Sequence, residues 1–276
     1  MKRILVTFLA LFAIITSAYA DVRGLTTVVI DAGHGGHDPG AVSKDRATQE
    51  KNLTLDISKR LKKKIKEAYP DVKVILTRPT DDFVSLGGRA EIANKSGANL
   101  FIAIHINAST NRSATGYSVH VLGQSSDKGR DLFANNMEVV KQENSVMMLE
   151  DDYTTKYADF NSLDASSFIL LQLMQSTNLQ QSLDFAQIIT EQLEGGPIRS
   201  NRGIWQNPFY VLWKTSMPAV LVELGFISNE TEVNILRQEE NRDLLADALF
   251  RSFKIYKEKY DVSIQFDKQP ENEDKK

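Results

Sequence analysis

The sequence predicts an α/β fold: a single three-layer domain in which a twisted, mostly parallel sheet carries helices on both faces. Short apolar runs of strand length alternate with longer stretches whose apolar residues recur at helical spacing, the order that βαβ units impose. One of the runs, residues 100–106 (LFIAIHI), is apolar on both faces, as a strand buried between two helical layers must be. The chain has 276 residues, 42% hydrophobic and 25% charged, which suits one ordinary globular core.

The order of elements begins with a segment read as removed. Residues 1–20 (MKRILVTFLALFAIITSAYA) set Lys2 and Arg3 before an apolar run and end on small residues, the three-part pattern of a secretory signal peptide with cleavage after Ala20. An uncleaved anchor is the rival reading. The pattern implies export, to the periplasm first and otherwise to the cell wall or medium. No later stretch reaches the ~20 apolar residues of a crossing helix, so no stable membrane span is expected after cleavage. The chain contains no cysteine, so core burial must hold the exported fold, and a metal site must draw on His, Asp or Glu. A net charge of −3 gives no basic field, and nucleic acid is not an expected partner.

Residues 21–262 read as the catalytic domain. Residues 26–31 form the first strand. From Thr48 the apolar positions Leu53, Ile57, Leu61 and Ile65 recur every fourth residue, with Arg60, Lys62, Lys63, Lys64 and Lys66 on the remaining faces, which makes an amphipathic helix. Residues 72–77 are a second strand, 86–96 a helix, 100–106 the central strand, 117–122 a strand and 127–142 a helix. Residues 143–178 break the rhythm with an acidic, poorly periodic piece that leads into FILLQLM, and read as an insertion. A helix at 179–193, strand-like pieces at 203–205 and 209–212, a strand at 219–223 and a helix at 239–260 complete the series. The polar residues 263–276 are expected to be a disordered tail.

Residues 28–42 (VVIDAGHGGHDPGAV) concentrate the unusual chemistry. Glycine-rich turns after strands can cradle phosphate, but neither G-x-G-x-x-G nor the P-loop spacing is present, and Asp38 would repel an anion. The glycines instead allow close backbone approach and positive φ around His34. His34 follows the first strand and His105 lies at the carboxyl end of the central one, the edge where open α/β sheets gather ligands. Glu50 opens the next helix, and Glu223 ends the apolar strand AVLVE. Singly, each has a plain structural explanation, although a glutamate at the end of a buried strand costs on the order of several kcal/mol unless paired. Together, two His and two Glu on one rim are the ingredients of a catalytic zinc: three protein ligands, an open position and a spare carboxylate.

These segments, VVIDAGHGGHDPGA, EKNLTLDISKRL, TRPTD with LGGRAEIAN, LFIAIHINAS and PAVLVELGFISNETE, resemble the zinc-dependent N-acetylmuramoyl-L-alanine amidases of bacterial cell-wall turnover. The likeness runs in order from about residue 26 to residue 260. It implies one zinc ion per chain, held by His34, Glu50 and His105, with Glu223 as the catalytic carboxylate. The implied substrate is peptidoglycan, cut at the amide between N-acetylmuramic acid and L-alanine for wall turnover or daughter-cell separation. His37 and His120 are expected to be structural or solvent-facing, and Asp38 to tie down the loop. Arg78 and Arg89 are read as salt-bridge residues, with substrate orientation the alternative. The resemblance further implies that residues 143–178 cover the zinc cleft until a protein activator displaces them, with a carboxylate from Glu143, Glu150, Asp151 or Asp152 at the open position and FILLQLM as an apolar docking face; a passive surface elaboration is the rival. A zinc peptidase acting within the stem peptide, and a catalytically silent wall-binding adaptor, are the alternative functions.

Overall fold

Alternating side chains decide how the layers form. In the computed structural model, which describes residues 24–123, 131–158, 160 and 176–266, β1 (Thr27–Ala32) is buried along its whole length. Val28 and Ile30 join one apolar cluster and Val29 the other, because successive strand residues point to opposite faces. The same division runs through β3 (Leu100–Asn107), with Ile102 and Ile104 opposite Phe101 and Ala103, and through β6 (Ala219–Phe226).

Helix α1 (Glu50–Ala68) buries Leu53, Ile57, Leu61 and Ile65 in the first cluster, each worth about 1.5–3 kcal/mol relative to exposure. Further along the chain come α2 (Leu86–Lys95), α3 (Asp131–Asn144), a 3₁₀ turn (Ser145–Leu149), α4 (Tyr153–Lys156), α5 (Ser176–Leu193), α6 (Tyr210–Trp213), α7 (Glu230–Arg237) and α8 (Glu239–Phe266). Helix α8 packs against α1 on one side and α5 on the other, and the two supply Phe185, Ile189, Leu245, Leu249 and Phe253 to the same cluster. The opposite face is covered by α2, α3 and α6, through Leu86, Ala93, Val139, Val140, Val211 and Leu212.

With β2 (Lys73–Leu76), β4 (Tyr117–Leu122) and β5 (Asn201–Asn207), the sheet order is β2-β1-β3-β6-β4-β5. Every neighbouring pair is parallel except β4 with β6, where Ser118 faces Glu223 and Tyr117 faces Leu224. That reversal brings the starts of β4 and β5 to the rim where β1, β3 and β6 end, and the site forms there.

Four departures from the sequence expectation bear on the fold. Residues 209–212 lie largely in helix α6 rather than a strand: a short apolar run buried on all sides carries no period that distinguishes the two states. Helix α3 runs to Asn144, so Glu143 belongs to its last turn and not to an irregular insertion; it shares a face with buried Val139 and Val140, where a carboxylate hides the period. Helix α7 forms where the periodicity marks no element, and Asn229 caps it by accepting from the N–H groups of Thr231 and Glu232. Helix α8 continues to Phe266, into the segment expected to be tail. The signal-peptide segment, the FILLQLM run and residues 267–276 lie outside the described residues. Among the described residues no helix is long and apolar enough to cross a membrane.

Candidate metal centre

The loop after β1 delivers the first histidine in a conformation that side chains seldom adopt. His34 has φ of 61°, in the left-handed region, which costs a non-glycine residue on the order of 1–3 kcal/mol and persists only where the surroundings enforce it. Two buried arginines do the enforcing. Arg78 Nε donates to Ala32 O and its Nη2 to Gly33 O, while Arg89 Nη1 donates to Ala32 O and its Nη2 to His34 O. Arg89 also pairs with buried Asp31 at 2.8 Å. Both guanidinium groups are therefore engaged by the loop; the salt bridge expected from the sequence forms for Arg89, whereas Arg78 donates to backbone carbonyls and the Thr54 hydroxyl. Glycine is required where the loop closes: at Gly40, with φ of 62°, a Cβ would lie 2.5 Å from His34 Cδ2 and 2.7 Å from Glu50 Oε2.

His34, Glu50 and His105 meet, all buried. His34 Nε2 lies 3.1 Å from Glu50 Oε2, and His105 Nδ1 lies 3.2 Å from Glu50 Oε1. Backbone donors hold the glutamate itself: Ala41 N–H to Oε2 and Ile106 N–H to Oε1, each 2.9 Å. Behind His34, Nδ1 sits 2.8 Å from Asp38 Oδ2, and Asp38 Oδ1 accepts from Gly40 N–H at 3.0 Å. Asp38 thus ties the loop and also orients the imidazole, so that Nε2 faces the cluster.

A fourth group completes the cluster. Of the four acidic residues considered in the 143–178 segment, Glu143 reaches it: Oε2 is 2.9 Å from His105 Nδ1 and 3.3 Å from His34 Nε2. Glu150 is held by Lys156 and by the Tyr157 hydroxyl, and Asp151 and Asp152 are exposed. His37 is exposed and stacks on Phe83, and buried His120 is held by Ser118 and Asn207. Both are outside the cluster.

The electrostatics call for a cation. Burial opposes charge on His34, yet the Glu50 and Glu143 carboxylates overcome it and hold the imidazole well above its ordinary pKa. Against the same burial, Glu143 and Glu50 push His105 up to about 10. Protons on the two imidazoles answer the carboxylates with positive charge. Even so, buried His34 Nε2 makes no hydrogen bond of acceptable geometry. An orphaned ring nitrogen amid a second imidazole and two carboxylates, all four donor atoms within 4.8 Å of one another, fits a metal ion.

Glu223 stands one strand away, opposite His105 in the β3·β6 register. It is fully buried, and neither carboxylate oxygen has a hydrogen-bond partner. Burial, reinforced by the charge of Glu143, raises its pKa well above the ordinary range. A buried, unpaired carboxylic acid beside a cluster that wants a cation is an arrangement suited to proton transfer.

Comparison with known proteins agrees in extent and in kind. A family model described as N-acetylmuramoyl-L-alanine amidase matches residues 28–254. The N-acetylmuramoyl-L-alanine amidase AmiA of Escherichia coli is 34% identical over 227 residues, spanning 82% of this chain and 74% of AmiA. Among solved structures, an N-acetylmuramoyl-L-alanine amidase from Clostridium difficile 630 superposes with a TM-score of 0.62 at 27% identity, covering 85% of this chain and 97% of that one. The CwlD amidase of Clostridioides difficile, solved in complex with the GerS lipoprotein, superposes with a TM-score of 0.59 at 26% identity, covering 84% and 98%.

Proposed function

Because the chain belongs to the N-acetylmuramoyl-L-alanine amidase family, hydrolases that cut an amide bond of peptidoglycan, we propose that it does so with one zinc ion held by His34, Glu50 and His105 and with Glu223 as proton carrier. The bond is the one joining the lactyl group of N-acetylmuramic acid to L-alanine, and the role is cell-wall turnover or daughter-cell separation after export. The observation that carries the reading is Glu223, a buried carboxyl with no partner, next to a four-donor cluster.

Donor spacing supports zinc. Ligands about 2.0–2.1 Å from a tetrahedral zinc stand roughly 3.3–3.4 Å apart. The imidazole nitrogens lie 3.1 and 3.2 Å from the two Glu50 oxygens and 2.9 and 3.3 Å from Glu143 Oε2, within a set of four donors that spans at most 4.8 Å. Zinc in such a site supplies Lewis-acid chemistry, polarising a carbonyl and acidifying a water toward pKa ~7. The remaining work falls to the chain. Glu223 takes a proton from the attacking water on a carboxylate oxygen and delivers it to the nitrogen of the departing amine. Burial without a hydrogen-bond partner leaves both carboxylate oxygens free to carry that proton. Asp38 fixes the His34 ring, and the backbone donors fix Glu50.

Glu143 occupies the position that an open catalytic site would leave to water and substrate, so the chain as described is a closed state. A protein partner that lifts α3 would open it. CwlD seen bound to GerS is a relative with a protein partner, and here Met148 and Leu149, 69% and 48% exposed, offer apolar contact on the same segment. Digestion of purified peptidoglycan, with and without chelator, tests the chemistry. Mass spectrometry should find intact stem peptides freed from muramic acid, lost with chelator and restored by zinc. Products cut within the peptide would overturn the assignment.

A further inference from the structure

A second cavity opens along the same rim, where Ser118 stands opposite Glu223 in the β4·β6 register. This cleft of about 310 Å³ is lined by Asn107 and Ser109 from the end of β3, Ser118 from the start of β4, Arg202 from β5, Phe226 from β6 and Glu138 from α3. Asn107 is 4% exposed, and its Oδ1 has no hydrogen-bond partner among the described residues. Burying such an acceptor unpaired costs about 1–3 kcal/mol, so the site is built for a donor that the chain does not supply.

Ser118 and Arg202 supply the opposite polarity. Asn207 Nδ2 lies 2.8 Å from His120 Nδ1 and donates to it, which leaves the neutral ring's proton on Nε2, 2.9 Å from Ser118 Oγ. Ser118 then accepts from His120, and its own hydroxyl proton is free to donate. The Arg202 guanidinium lies 5.2 Å over the Phe226 ring and donates from Nη1 to Thr115 O at 3.3 Å. It has no carboxylate within ion-pair distance among the described residues. Glu232, which it influences, is already engaged by the N–H groups of Gly116 and Phe226, each at 2.7 Å.

The sheet order places this cleft in the reaction. Crossing the rim from β1 through β3, β6 and β4 to β5, the chain presents the metal cluster, then Glu223, then Ser118 and Arg202. A carboxyl that protonates the departing amine must stand beside it, so the peptide leaves on the Glu223 side while the muramoyl group stays over the metal. The glycan of a muramoyl amide is uncharged, whereas the leaving peptide carries carboxylates and amide N–H groups. We propose that the Asn107–Ser118–Arg202 cleft is the subsite for the leaving peptide, with Arg202 and Ser118 binding a carboxylate of its second residue and Asn107 Oδ1 accepting one of its amide N–H groups. The assignment rests on the amidase reading of Glu223. His120 acts here as a positioning residue for Ser118.

The test compares N-acetylmuramoyl-L-alanyl-D-glutamyl peptides with the glutamyl α-carboxylate free or amidated, for the parent chain, Arg202→Ala and the longer Arg202→Gln. The parent should cleave the free acid with kcat/KM about ten-fold or more above the amide, the scale of a charge-assisted contact. Both variants should lose that preference while still cleaving the amidated substrate. The ratio does not depend on how often α3 covers the metal, since that fraction enters both substrates equally. Calorimetry of the freed acid and amide peptides gives a second readout and should show the same preference and the same loss. A preference that survives both substitutions, or binding indifferent to the carboxylate, overturns the subsite. Carboxylate-dependent peptide binding lost in both variants, without cleavage at the muramoyl bond, supports the subsite and overturns the amidase chemistry alone.

Discussion

Glu143→Ala should convert a largely closed enzyme into a more active one. Glu143 is buried with one oxygen 2.9 Å from His105 Nδ1 and 3.3 Å from His34 Nε2, so it anchors α3 by a charge-assisted contact to the cation the cluster holds, imidazole protons or metal. One such contact is worth about 1.5–3 kcal/mol net, and each 1.4 kcal/mol is a factor of ten, so the open fraction should rise roughly 10- to 150-fold. The gain stops short of full opening because other anchors remain. Asn144 Nδ2 donates to Pro208 O and Asn144 Oδ1 accepts from Tyr210 N–H, both at 3.0 Å, while Val139, Val140 and Val146 stay buried. Dye release from labelled peptidoglycan, at saturating zinc and without any partner, measures the basal rate; Glu143→Gln, which keeps the volume and removes the charge, should rise as well. If both variants retain zinc and melt normally yet release dye no faster than the parent, the closed-state argument is refuted.

Three other substitutions separate the remaining roles. Glu223→Gln should keep zinc at one per chain by metal analysis and lose nearly all turnover; a normal rate would remove Glu223 from proton transfer. Asp38→Ala, which deletes the 2.8 Å contact behind His34, should weaken zinc binding about 10–100-fold in a chelator competition, and unchanged affinity would show that the loop orients the ring unaided. Burial drives the His120 pKa down to about 3, while in the unfolded chain it sits near 6.5. Below pH ~6.5 the unfolded state therefore binds more protons, and stability should fall by about 1.4 kcal/mol per pH unit until pH ~3. Denaturation of His120→Gln should show a pH slope shallower than the parent's by that amount across this window; identical slopes would refute the neutral buried imidazole.

The sequence by itself determined the layer order, because strand and helix periods are local and survive any arrangement of neighbours. It also brought His34, Glu50, His105 and Glu223 to one rim, since strand ends and a helix start are positions that a sequence pattern marks. Tertiary structure alone decided which carboxylate of the 143–178 segment meets the cluster: Glu143 lies on the buried face of α3 with Val139 and Val140, whereas Glu150 turns to Lys156 and Tyr157. It assigned Arg78 and Arg89 to the loop, because the loop carbonyls they satisfy lie 45 to 57 residues away. It also brought Asn107, Ser118 and Arg202 together, which depends on the β4 reversal that no periodicity records. Burial and partnership are long-range properties: a side chain's face follows from its spacing, but what it meets there is fixed only when the other layers close on it.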